Sequence, residues 1–236
     1  MANTLTQLSE DNLSFPEVDK ALTDPNGLLA IGGDLSTQRL VQAYHSGIFP
    51  WFNEGDPLLW WSPDPRTVIF LDDLRINKTL RKFINKSPYK ITVNAAFDDV
   101  IANCANAPFR NDDTWIIEPM QKAYSLLHQQ SYAHSIEVWQ DDLLVGGLYG
   151  VAINGFFSGE SMFYLKDNAS KCALVGLKLH LESIGVAFID CQLMNPFLAD
   201  MGAINVSRSS FMEYQGHAIN KAVPANFWSA KELILT

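Results

Sequence analysis

The stretch LLVGGLYGVAINGFFSGESMF, Leu143 to Phe163, decides the fold. Two apolar runs of strand length flank Asn154-Gly155, a dipeptide that tolerates the positive φ values of a tight hairpin turn. The segment therefore predicts a β-hairpin, with Leu143 to Ile153 as the outgoing strand and Phe156 to Phe163 as the return. Gly146-Gly147 within the first run predicts a bulge or a close approach of another backbone. Glu160 is the lone acid of the returning strand and is either a pocket residue or an edge residue in water.

Outward from the hairpin, helix and strand signals alternate. Upstream, Ser135 to Trp139 reads as a strand, and Met120, Ala123, Tyr124 and Leu127 lie on one helical face. Downstream, Asn168 or Ser170 caps a helix with Ala173, Leu174, Leu177, Leu181 and Ile184 on its apolar side, stopped by Gly185. Val186 to Leu193 follows as a strand. Its alternation sets Phe188, Asp190 and Gln192 on one face and Ile189, Cys191 and Leu193 on the other. A carboxylate and an amide thus emerge together from an apolar segment, either as a satisfied structural pair or as chemistry. The chain reads as mixed α/β.

The first 66 residues have a different texture. They hold six of the eleven prolines, five of the fourteen glycines and three of the six tryptophans. That density predicts a small turn-rich domain over 1–66 ahead of a larger one over 67–236. Its one short helix has Ser36 as N-cap, Leu40, Val41 and Tyr44 as a face and Gly47 as the stop. Tyr44, Phe49, Trp51, Phe52, Trp60 and Trp61 serve as core or as a stacking platform for bases.

Just past that boundary, Arg75, Lys78, Arg81, Lys82, Lys86 and Lys90 occur without an acid among them. Leu80, Phe83 and Ile84 give a short helix a core face, and Lys78, Lys82 and Lys86 stripe its other side before Pro88. The stripe is either a solvated face or a phosphate-binding one, and its single sign stands out in a chain of net charge −9.

Composition excludes several classes. With 47% hydrophobic and 18% charged residues in 236, disorder is excluded as the main state. No apolar run is long enough for a membrane span, and Met1 to Glu10 is polar, so a cytosolic protein is expected. Three widely spaced cysteines and five scattered histidines offer neither a disulfide framework nor metal-ligand spacing. No G-x-S-x-G and no phosphate loop occurs, which weakens hydrolase readings. Neither metal nor cofactor is expected.

Taken in order, PNGLLAIGGDLS (25–36), AYHSGIFPWF (43–52), LLWWSPDPR (58–66), TWI (114–116), HSIEVW (134–139), GGLYGV (146–151), SGESMF (158–163), NASK (168–171), IDCQ (189–192) and NFW (226–228) resemble the bacterial leucyl/phenylalanyl-tRNA-protein transferase family. The motifs span nearly the whole chain, and their ordered set is specific. The resemblance implies a C-terminal domain like that of the GNAT acyltransferases, with a mixed, largely antiparallel sheet. It implies transfer of Leu, Phe and less readily Met from aminoacyl-tRNA to proteins beginning with Arg or Lys, forming an N-degron. A monomer with no membrane partner is expected.

Carried over by position, the resemblance makes Asp190 and Gln192 the catalytic pair and Glu160 the acid of the aminoacyl site. Leu148, Phe157 and Leu174 line its apolar pocket, Trp51 and Trp115 flank the terminal adenosine, and Tyr44 and Tyr124 are further members. Lys78, Arg81, Lys82, Lys86 and Lys90 contact tRNA. Asp190 is expected to accept hydrogen bonds from the attacking amine or from the basic side chain, with general-base action as the rival mechanism. A CoA-dependent N-acyltransferase and a noncatalytic tRNA-binding module remain open.

Overall fold

The structure is a computed structural model that describes residues 5–108 and 114–235, so residues 1–4 of the polar start lie outside it. Twelve strands and seven helices are present among the described residues. The first sheet has the order β1-β2-β4-β3, from Thr6–Leu8 (β1), Leu28–Gly32 (β2), Phe49–Pro50 (β3) and Leu59–Trp61 (β4). Helix α1, Thr37–His45, sits within this part, and Ser36 caps it by accepting from the Arg39 N–H. Gly47 follows at φ +72°, the left-handed stop the sequence predicts.

The second sheet has eight strands: Arg66–Phe70 (β5), Lys90–Val93 (β6), Ala133–Gln140 (β7), Leu143–Ile153 (β8), Phe156–Tyr164 (β9), Phe188–Gln192 (β10), Ile204–Val206 (β11) and Lys231–Leu233 (β12). Their order is β11-β5-β10-β9-β8-β7-β6-β12. Every pair in it is antiparallel except β9 with β10, so the sheet is mixed and largely antiparallel, as expected. The hairpin forms as read, with Asn154 at φ 52°.

Five more helices pack around this sheet: Phe97–Ala105 (α3), Glu118–Gln129 (α4), Ala169–Glu182 (α5), Pro196–Asp200 (α6) and Arg208–Ile219 (α7). Alternation along β8 splits the core. Tyr149, Val151 and Ile153 join α1, α3 and α4, whereas Leu148 and Ala152 join α5. Gly146 is a point of close approach, because a Cβ there would stand 2.5 Å from the Cβ of Ala169 at the start of α5. Asn168 is the N-cap of α5, in a left-handed conformation at φ 60°.

Two expectations shift. The basic helix α2 covers only Lys78–Ile84, capped by Asn77 accepting from the Leu80 N–H at 2.8 Å. Lys86 therefore lies beyond its end, and the stripe of three lysines is two on the helix and one on the following loop. Pro88 disfavours helical φ and ψ at Ser87, consistent with the early stop. The strand expected over 186–193 is shorter at both ends. Gly185 at φ +67° delays its start, and Gln192 at φ +57° ends it. No helix of the described residues is long and apolar enough to cross a membrane.

Candidate functional site

Strands β9 and β10 share one registered pair, Ser158 with Asp190. Beyond that pair both strands turn side chains into a cavity of about 470 Å³, within the ~300–1,000 Å³ range of small-ligand sites. Glu160 and Met162 line it from β9, Cys191 and Gln192 from β10, Leu148 from β8 and Leu174 from α5. A second cavity of about 280 Å³ is lined by Phe49, Trp51 and Trp115. Glu160, Cys191, Gln192 and Asn195 line both, so a carboxyl and an amide stand at the seam of an apolar cavity and an aromatic one.

Asp190 stands behind the seam. It is 0% exposed and lines neither cavity. Arg66 of β5 donates to both of its oxygens, Nε to Oδ1 at 2.8 Å and Nη2 to Oδ2 at 2.7 Å. Oδ1 also accepts from the Gln192 N–H at 3.1 Å. The carboxylate thus holds the left-handed backbone at Gln192, which a non-glycine residue adopts at a cost. Both Asp190 oxygens are thus enclosed and already accept hydrogen bonds from this chain's own groups. The Arg66 guanidinium lies between the rings of Phe49 at 4.8 Å and Phe211 at 4.5 Å.

Glu160 is only half-buried. Its Oε2 accepts from the Tyr124 hydroxyl at 3.0 Å, and Tyr124 is hydrogen-bonded to the Tyr44 hydroxyl. Since Tyr124 has one proton and gives it to Glu160, Tyr44 is the donor between the tyrosines. Burial pushes the Glu160 carboxyl up to about 7, opposed by its hydrogen bonds and reinforced by the charge of Asp190. Burial likewise raises both tyrosines well above their ordinary value.

The structure brings together Asp190, Gln192, Glu160, Leu148, Leu174, Trp51, Trp115, Tyr44 and Tyr124. It does not bring Phe157 to either cavity: that ring stacks on Trp228 at 5.6 Å. Lys78, Arg81, Lys82, Lys86 and Lys90 are all exposed, and none lines a cavity. Lys90 also pairs with Glu232 at 3.5 Å. Among the described residues no cluster of His, Cys, Asp and Glu is placed to hold a metal.

Sequence reasoning passed over Arg66 and Ser158. Both lie inside quoted motifs, SPDPR and SGES, and a signal was present at Arg66: a cation opening the apolar run TVIF must find a buried anion.

The family model described as "Leucyl/phenylalanyl-tRNA protein transferase" matches residues 68–215, and that of the same family's N-terminal domain matches 33–64. A relative from Colwellia psychrerythraea, named leucyl/phenylalanyl-tRNA--protein transferase, is 59% identical over 238 residues, covering 99% of each chain. One of the same name from Shewanella baltica is 49% identical over 232 residues and covers 98% of each. Among solved structures there is a distant likeness to a GCN5-related N-acetyltransferase from Kribbella flavida. It has a TM-score of 0.39 and 10% identity, covering 71% of this chain and 60% of that one.

Proposed function

This chain belongs to the leucyl/phenylalanyl-tRNA protein transferase family and is an aminoacyltransferase; from that premise we propose that it moves Leu, Phe and less readily Met from tRNA onto proteins beginning with Arg or Lys, marking them for degradation in the cytosol. Membership decides for an enzyme over a binding module, and for aminoacyl-tRNA over CoA as donor. The observation that carries the finer reading is the seam, where Glu160 and Gln192 line an apolar cavity and an aromatic one together.

In this reading the aminoacyl side chain fills the larger cavity, whose apolar walls separate Leu, Phe and Met from charged residues but discriminate among themselves by only ~1–3 kcal/mol per methylene. The terminal adenosine lies against Trp51 and Trp115, leaving the ester carbonyl at the seam. The acceptor α-amine attacks that carbonyl, the amide C–N bond forms, the ester C–O bond breaks, and the ribose hydroxyl leaves with a proton. An α-amine of pKa ~7.7–8.0 is partly neutral at pH 7, so orientation contributes more than proton abstraction. Gln192 and Glu160 face the amine and its basic side chain, and Asp190 acts through Gln192.

The division at 66/67 belongs to this proposal, supported by a first sheet that ends at Trp61 and a second that begins at Arg66. The test is transfer of labelled Leu from Leu-tRNA to a peptide beginning with Arg, beside the same peptide beginning with Glu. Label on the Arg peptide alone is expected; equal labelling of both, or of neither, overturns the acceptor reading.

The exposed lysines of α2 are read as tRNA-backbone contacts. Reversing Lys78 and Lys82 to Glu is expected to weaken tRNA binding and to reduce the log-log salt slope by ~0.7–0.9 for each phosphate no longer neutralised. A slope unchanged from wild type across a salt titration removes α2 from the interface.

A further inference from the structure

We propose that Ser158 is a further positioning residue of the transfer reaction, the hydroxyl that sets which end of the Gln192 amide faces the seam. The inference rests on the function proposed above.

Ser158 is 0% exposed. Its Oγ accepts from Gln192 Nε2 at 2.7 Å and is a donor to two carboxyl oxygens, Asp190 Oδ2 at 3.0 Å and Glu160 Oε1 at 3.2 Å. A hydroxyl has one proton and two acceptor positions. That proton goes to a carboxyl group, so toward Gln192 the Ser158 oxygen can only accept. Gln192 must therefore present its NH₂ inward, which turns its carbonyl oxygen toward the cavities it lines. An amide oxygen there accepts an N–H of the attacking amine; a flipped amide would present donors to donors.

Ser158 also joins Gln192 to Glu160. When Glu160 is protonated its O–H supplies a second bond to Ser158, and the Ser158 proton belongs to Asp190. When Glu160 is ionised, the two carboxylates compete for that proton. The groups facing Glu160 are Tyr44 from α1, Tyr124 from α4, Ser158 beside it on β9, and Asp190 from β10 with Arg66 of β5 behind. Loss of the Ser158 bond takes away one of the interactions that hold the Glu160 carboxyl down.

The test combines kinetics with a readout on the free protein. Ser158→Ala and the nearly isosteric Ser158→Cys, whose thiol is a weak donor and acceptor, are expected to lower kcat ~10- to 100-fold with KM for aminoacyl-tRNA within about twofold. In a Gln192→Ala background Ser158→Ala should change kcat by less than about twofold, because the partner it orients is gone. The pH midpoint of transfer should move upward in Ser158→Ala. Independently of activity, exchange of the Gln192 side-chain NH₂ protons, followed by NMR, should speed up about tenfold or more while the β10 backbone amides keep wild-type rates.

Wild-type kcat in Ser158→Ala, a loss that multiplies with that of Gln192→Ala, or unchanged Gln192 NH₂ exchange each overturns the assignment. A wild type that shows no transfer would instead defeat the proposed function, and the exchange measurement would still decide the role of Ser158.

Discussion

Arg66→Met is expected to destabilise the protein by ~3–5 kcal/mol, a large share of the ~5–15 kcal/mol by which domains are stable. The reason is asymmetry in burial. Arg66 and Asp190 have side-chain exposures of 1% and 0%, and their paired hydrogen bonds compensate two desolvated charges. Met fills the slot between Phe49 and Phe211 well enough, but it leaves Asp190 with only the Ser158 hydroxyl and the Gln192 N–H. Asp190→Asn in the Arg66→Met background removes the orphaned charge and should recover a substantial part of the loss. Urea unfolding of the wild type, both single variants and the double variant measures this. A single Arg66→Met variant within about 1 kcal/mol of wild type would show that the pair contributes little, as exposed pairs do. Because the same carboxylate holds the backbone of Gln192, residual folded Arg66→Met should also transfer poorly.

How much of the molecule is legible in its sequence depends on whether the signal is local. The β8–β9 hairpin, with its Asn154-Gly155 turn, and helix α5 up to Gly185 are written in short-range periodicity and turn chemistry, and they form as read. The pairing of Arg66 with Asp190 is not local. The two residues are 124 positions apart, and only the insertion of β5 between β10 and β11 brings them together. Likewise, alternation puts Asp190 and Gln192 on one face, yet the register shift between them gives one residue to the interior and the other to the cavities. Phe157 sits one place from Ser158 and is expected in the pocket. The Asn226-Phe227-Trp228 segment returns to cover it with Trp228, a stacking that no window of β9 contains.

The second large effect is a divergence of stability and activity at Glu160. Its carboxyl sits at about 7 in the folded protein against an ordinary 4.5, so folding favours the protonated form. A raised folded value contributes stability that is fully present below about pH 4.5 and is lost as pH rises through 7. At 1.36 kcal/mol per unit the difference is at most roughly 3 kcal/mol, reduced by the solvent that reaches this half-buried group. Glu160→Gln is uncharged throughout and can still accept from Tyr124. Its melting temperature relative to wild type should therefore rise between pH 4.5 and 7 and stay above it at pH 8. Transfer should move the other way. If the carboxylate meets the cationic acceptor, a charged hydrogen bond of ~1.5–3 kcal/mol is lost, about 10- to 100-fold in kcat/KM for the Arg peptide. A variant less stable than wild type at pH 8, or a difference that does not change with pH, would mean that Glu160 is held ionised. Its tyrosine partners would then serve to stabilise an anion and not to shelter a neutral acid. Under the proposed function, in which Glu160 faces a cationic acceptor, the expected divergence places Glu160 among residues kept at a cost to the fold, a charge held where burial resists one.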